Sequence, residues 1–223
     1  GGGDSPQTQF WLAESLLRSG TLDRALAGYN QALEIQPTFP EALLGIAQVQ
    51  YAQSNLTAAL ETTNRSLAQR SGYAEALLFK GKLLQEQGHV DEAMRAYNAA
   101  IRASGHISEA YYRRGLLRIS DEKYDDAITD MRQAVAIQPN FPEANYWMGR
   151  AYYARGQLGS ARDAFKRAVD LNVGYIEAFY YLGLTAEDLG RRDEAINAYQ
   201  TVILADNGGE WATRARDQLN RIE

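Results

Sequence analysis

The chain has 223 residues, 45% of them hydrophobic, and a formal charge of -5. This is the composition of a soluble, ordered, mildly acidic protein without the basic excess that attracts phosphate backbones, so nucleic acid is not an expected partner. No run of about 18 apolar residues occurs, so no transmembrane segment is expected, and the absence of cysteine rules out disulfides and thiol chemistry while fixing no compartment.

The chain begins Gly1-Gly2-Gly3 rather than with Met, and a processed or truncated product is expected. Gly1 to Ser5 have the composition of a flexible linker. They read either as a cloning remnant or as the tether that follows the lipidated cysteine of a bacterial lipoprotein. In the second case a lipid anchor lies upstream of residue 1, and the compartment is the cell envelope rather than the cytoplasm.

From Pro6 a pattern of 34 residues returns six times without insertion or deletion, as residues 6–39, 40–73, 74–107, 108–141, 142–175 and 176–209. In the fifth copy Pro142 can only begin a helix and aromatic and small residues follow at helical spacing. Gly156 then ends that helix, and a second apolar pattern starts at Leu158. Each copy is therefore predicted to be a helical hairpin, and the fixed period marks a repeat array. Numbered from 1 within each copy, position 8 is Ala or Gly and position 20 is always Ala (Ala25, Ala59, Ala93, Ala127, Ala161, Ala195). Position 24 is large in most copies (Tyr29, Tyr97, Met131, Phe165, Tyr199), so knobs meet the gaps left by small residues. The second copy departs from this, with Ser54 where four copies have Gly, Thr63 at position 24 and Ser66 at position 27. Its core is expected to be the loosest. Residues 210–223 place Trp211, Ala215, Leu219 and Ile222 at helical spacing, an amphipathic helix that caps the last hairpin with Trp211 packed against it.

On these residues the chain resembles the tetratricopeptide repeat over residues 6–209. The resemblance implies an all-α fold, an α-solenoid wound as a right-handed superhelix of helix-turn-helix repeats, with thirteen helices counting the cap and no strand. It also implies that first helices line a concave groove that holds extended or helical peptides, while second helices form the outer wall.

Candidates for catalysis are thin. His89 and His106 fall in turns without a third ligand at metal spacing. The run Asp121, Glu122, Asp125 and Asp126 lacks the alternating ligands and central glycine of a calcium loop, and its last two members suit the first turn of a helix. The sequons at Asn55 and Asn64 are read as chance. No cofactor, no metal and no enzymatic activity are expected.

The resemblance places positions 2, 5, 6, 9, 12 and 13 of each first helix on the concave side. Position 6 reads Trp11, Gly45, Phe79, Arg113, Trp147 and Tyr181, where many peptide-binding members have Asn. Its rings are either ligand pockets or packing between successive first helices. Lys82, Arg113 and Arg150 are expected to converge midway along the groove, or else to pair with the position-2 glutamates, whereas Arg114 and Asp130 are expected to form an internal pair. The candidate peptide site is Phe79, Lys82, Tyr112, Arg113, Tyr146, Trp147, Arg150, Tyr180 and Tyr181.

The functional expectation is a non-catalytic scaffold or adaptor, monomeric or weakly self-associating, that binds a protein or peptide partner within a bacterial assembly or cell-envelope complex. The alternatives are a recruiting domain of a larger enzyme and a self-assembling scaffold.

Overall fold

The computed structural model describes residues 5–222. The reading of Gly1 to Asp4 as a tether lies outside the described residues. Among the described residues there are thirteen α-helices and no strand. They are α1 (Pro6–Arg18), α2 (Leu22–Ile35), α3 (Pro40–Ala52), α4 (Leu56–Gln69), α5 (Ala74–Glu86), α6 (Val90–Ala103), α7 (Ser108–Ser120), α8 (Tyr124–Ile137), α9 (Pro142–Ala154), α10 (Leu158–Leu171), α11 (Ile176–Asp188), α12 (Arg192–Ala205) and α13 (Glu210–Ile222). The odd-numbered helices from α1 to α11 begin 34 residues apart.

Local chemistry sets these boundaries. Pro6, Pro40 and Pro142 open α1, α3 and α9, where a missing N–H costs nothing. Ser5 caps α1 by accepting a hydrogen bond from the Thr8 N–H at 3.1 Å. Every hairpin turns in the same way. The N–H of the residue after the turn returns to the carbonyl five residues back, as from Thr21 to Leu16 at 2.9 Å and from Gln157 to Tyr152 at 2.9 Å. The residue between must be left-handed. Gly20, Gly88, Gly156 and Gly190 supply φ of 76, 79, 69 and 70°, while Ser54 and Glu122 adopt 63 and 56° with a side chain present.

The chain divides into two compact units, one ending at Ile107 and the other beginning at Ser108. The first holds three hairpins, α1 with α2, α3 with α4 and α5 with α6. Ala25, Ala59 and Ala93 are fully buried between the paired helices, as are the rings of Tyr29 and Tyr97. A Cβ on Gly81 would come within 2.5 Å of Tyr97, so only glycine lets that ring in. In the α3–α4 hairpin the two polar replacements are satisfied: Thr63 Oγ1 donates to the Ala59 carbonyl and Ser66 Oγ to the Pro40 carbonyl, each at 2.7 Å. A looser core there rests on lost volume, because the hydroxyls carry no unmet hydrogen bond.

The second unit repeats the design with α7 to α12 and adds α13. Met131, Phe165 and Tyr199 fill the places of the buried tyrosines, and Ala127, Ala161 and Ala195 are again fully buried. Asp130, 1% exposed, accepts both Nε and Nη2 of Arg114 at 3.0 and 2.6 Å and Nη1 of Arg118 at 2.7 Å. The expected internal pair is thus a three-membered network. Trp211 of α13 lies 5.2 Å from the Tyr180 ring, and Asp206 holds the start of α13 by accepting from the Ala212 N–H at 2.8 Å. The amphipathic tail is packed on α11 and α12.

Candidate functional site

In the second unit the first helices of successive hairpins, α7, α9 and α11, present Tyr112, Arg113, Tyr146, Trp147, Arg150, Tyr180 and Tyr181. Helical spacing brings positions 5, 6 and 9 of one helix to one face, so Tyr146, Trp147 and Arg150 emerge together from α9. The Arg150 guanidinium lies 4.1 Å from the centre of the Tyr181 ring, 5.6 Å from Trp147 and 5.8 Å from Tyr146, and donates to the Tyr146 hydroxyl at 3.0 Å. Among the described residues no carboxylate pairs with it. The cluster is a cation held by three rings, with donor capacity to spare.

The candidates differ in burial. Tyr146 and Tyr180 are buried and contribute chiefly to packing, while Tyr112, Trp147 and Tyr181 are partly exposed. Tyr181 stacks on the buried Phe165 at 5.7 Å, and Tyr180 meets Trp211. Arg113 is committed to its own helix, its Nε 2.6 Å from Glu109 Oε1, which is a position-2 glutamate. Burial raises the Tyr112 and Tyr146 hydroxyls above the usual tyrosine range, and a hydrogen bond from Trp147 to Tyr112 and from Arg150 to Tyr146 offsets part of that. These phenols stay neutral at ordinary pH and act as hydrogen-bonding groups.

Phe79 and Lys82 belong to the other unit. Phe79 is buried against Tyr51, with centroids 5.8 Å apart, and the Lys82 ammonium sits 4.3 Å from the Tyr51 ring centre. Lys82 is therefore engaged by a ring, and Arg113 by a carboxylate. Only Arg150, of the three cations, has no such commitment to a carboxylate or a single ring.

Two sets of residues escaped the sequence reading. Position 34 of several copies is aromatic, and its ring folds back onto the ring at position 5 of the same copy. The pairs are Phe39 on Phe10 at 5.2 Å, Phe141 on Tyr112 at 4.8 Å and Tyr175 on Tyr146 at 5.0 Å. The 34-residue period carried that signal at Phe39, Tyr73, Phe141 and Tyr175. The second set surrounds a cavity of about 640 Å3 in the first unit, bounded by α1, α3 and the start of α5. Its signal was Gly45, the one position-6 residue without a side chain.

Among the described residues no group of three metal-ligating side chains could hold an ion, and no helix is long and apolar enough to cross a membrane.

The repeated hairpins, the small-against-large pairing inside them and the capping helix define a helical repeat protein. Family models agree. "Tetratricopeptide repeat" matches residues 78–142, "TPR repeat" residues 13–54, and "Anaphase-promoting complex, cyclosome, subunit 3" residues 120–202. The thirteen helices fit six tetratricopeptide repeats and a cap, and the chain is a tetratricopeptide-repeat protein.

Solved structures share the fold. PilF of Pseudomonas aeruginosa superimposes with TM-score 0.85 at 20% identity over 96% of this chain and 97% of that one. YrrB, described as a tetratricopeptide-repeat protein with an unusual peptide-binding site, gives 0.73 at 22% identity over 85% and 97%. MamA of Desulfovibrio magneticus gives 0.65 at 22% over 77% and 97%. No curated protein matches by sequence. The fold supports a protein-interaction scaffold, and proteins of this kind are in general non-catalytic.

Proposed function

We propose that the chain is a peptide-binding adaptor in a bacterial assembly or cell-envelope complex, its six repeats divided as residues 6–39, 40–73, 74–107, 108–141, 142–175 and 176–209. A partner segment docks on the face presented by α7, α9 and α11. The observation that carries this reading is Arg150, a guanidinium framed by Tyr146, Trp147 and Tyr181 without a carboxylate of its own among the described residues. Rings supply buried area and the guanidinium grips a carboxylate bidentately, so the preferred segment offers a large apolar anchor beside an acidic side chain or a C-terminus. Tyr112 extends the same face, and Tyr180, buried against Trp211, supports it. Phe79 and Lys82 offer matching chemistry on α5. Peptide binding by YrrB and the bacterial sources of PilF and MamA favour the assignment.

The test is capture of partners by the intact chain, then titration of the recovered segment against Trp147→Ala and against an outer-helix control, Lys166→Ala. Trp147→Ala is expected to cost about 2 kcal/mol or more of binding, because interface energy concentrates in central Trp and Arg residues. Wild-type affinity in a folded Trp147→Ala variant would remove this face from the binding site.

A further inference from the structure

The cavity in the first unit has a chemistry of its own. One wall is built from rings: Phe10 and Trp11 lie 5.0 Å apart at their centroids, and Phe39 sits 5.2 Å from Phe10. Trp11 is 64% exposed, an unusual position for the largest apolar side chain. Gly45 also lines the cavity, at the position where four other repeats carry a ring. Its backbone lies against the face of Tyr29, where no Cβ would fit.

The rest of the lining is acidic. Glu14, Glu41 and Glu75 share the lining with Arg18, whose side chain is 79% exposed and whose nearest nitrogen is 3.9 Å from Glu14, and Arg70 at the rim is a second cation. Three carboxylates against these two guanidinium groups leave one negative charge in excess. Glu75, exposed on α5, makes no ion pair among the described residues. The protein also displays the matching occupant at the rim. Its own Arg70 stacks 3.8 Å from the centre of the Tyr73 ring and pairs with Glu41 at 2.9 Å. The neighbouring carboxylates add to burial in pushing the Tyr73 hydroxyl up to about 12.

We infer that this cavity binds the basic side chain, Arg or Lys, of a partner peptide, with the cation placed between the Trp11 ring and the carboxylates of Glu41 and Glu75. A cation facing an exposed indole gains from the ring quadrupole as well as from the carboxylates, which neither feature supplies alone. The site is distinct from the Arg150 face, and the two prefer opposite charges.

The test uses the full chain labelled with 15N and follows the indole N–H signals of its three tryptophans, Trp11 being assigned through Trp11→Phe. The probes are acetyl-Leu-Arg-Leu-amide and its uncharged citrulline counterpart, neither of which carries a carboxylate for Arg150. The arginine peptide is expected to shift the Trp11 signal saturably and the citrulline peptide to leave it unmoved. Glu75→Gln alone, which keeps the Glu41–Arg70 pair intact, is expected to weaken binding about threefold, and Glu41→Gln with Glu75→Gln further still. An equal response to citrulline, an unchanged affinity in the folded double variant, or a response confined to Trp147 overturns the inference. The Arg150 face is tested separately, by Trp147→Ala.

Discussion

The guanidinium of Arg150 sits 4.1 Å from the centre of the Tyr181 ring, so two successive repeats are joined by a cation–π contact on the proposed docking face. A lysine at this position would retain the charge. It would lose the planar stacking and the fork that can hold a carboxylate with two hydrogen bonds. Arg150→Lys is therefore expected to weaken binding of the acidic partner segment about tenfold, with thermal stability nearly unchanged, as read by calorimetric titration beside a melting curve. Equal affinity in the lysine variant would show that charge alone is recognised.

Asp130 is the most deeply placed charge among the described residues, and its partners Arg114 and Arg118 are themselves largely covered. Removing it takes a buried carboxylate away from two partly buried guanidinium groups. Asp130→Ala is expected to cost about 3 kcal/mol in urea denaturation, and Asp130→Asn somewhat less. A loss under about 1 kcal/mol would mean that water reaches both arginines.

Ser54 and Glu122 adopt φ of 63 and 56° in turns where four sister repeats use glycine. A side chain there costs about 1 to 2 kcal/mol, partly offset by the smaller entropy loss of a non-glycine residue. Ser54→Gly and Glu122→Gly are each expected to stabilise the protein by about 0.5 kcal/mol or more. Gly156→Ala, the reverse experiment, is expected to destabilise it by about 1 kcal/mol. Denaturation midpoints moving the opposite way would place compensating strain elsewhere in the turn.

Alkali is expected to unfold the chain through its tyrosines. Burial comes first among the causes that lift Tyr73 and Tyr153 to about 12, followed at Tyr153 by its hydrogen bond to Asp188 at 2.6 Å. A folded-state value above the unfolded value of about 10 means that the native chain holds these protons more tightly. The resulting stability is fully present below about pH 10 and is lost as pH rises toward 12. Tyrosinate absorbance should lag behind ten until helicity falls. Complete ionisation near pH 10 with the helices intact would contradict the burial of these hydroxyls.

The periodicity of Ala161 and its five equivalents made the hairpins legible in the sequence, because a small residue against a large one is a local requirement repeated at a fixed distance. Arg114 with Asp130 was legible through the family resemblance, which pairs those two positions within one repeat. The site was less so. Some position-5 rings are met by a ring 29 positions later, as Tyr146 is by Tyr175, and a helical period does not record that return. Arg113 and Arg150 look alike in sequence, yet Glu109 neutralises one while rings surround the other. Gly45 was visible as an exception, but its cause, the Tyr29 ring of the preceding repeat in the place of a Cβ, was not.

Within each unit, helices pack chiefly on the next or next-but-one helix along the chain. Low separation in sequence between contacting groups favours fast folding, since little loop-closure entropy is spent before contacts form. It also suits vectorial synthesis. Once Ile35 has left the ribosome the α1–α2 hairpin can close around Ala25 and Tyr29, while the residues that form the Arg150 cluster are still untranslated. Within a unit, each later hairpin then meets a finished surface, so little apolar face waits there for residues not yet made.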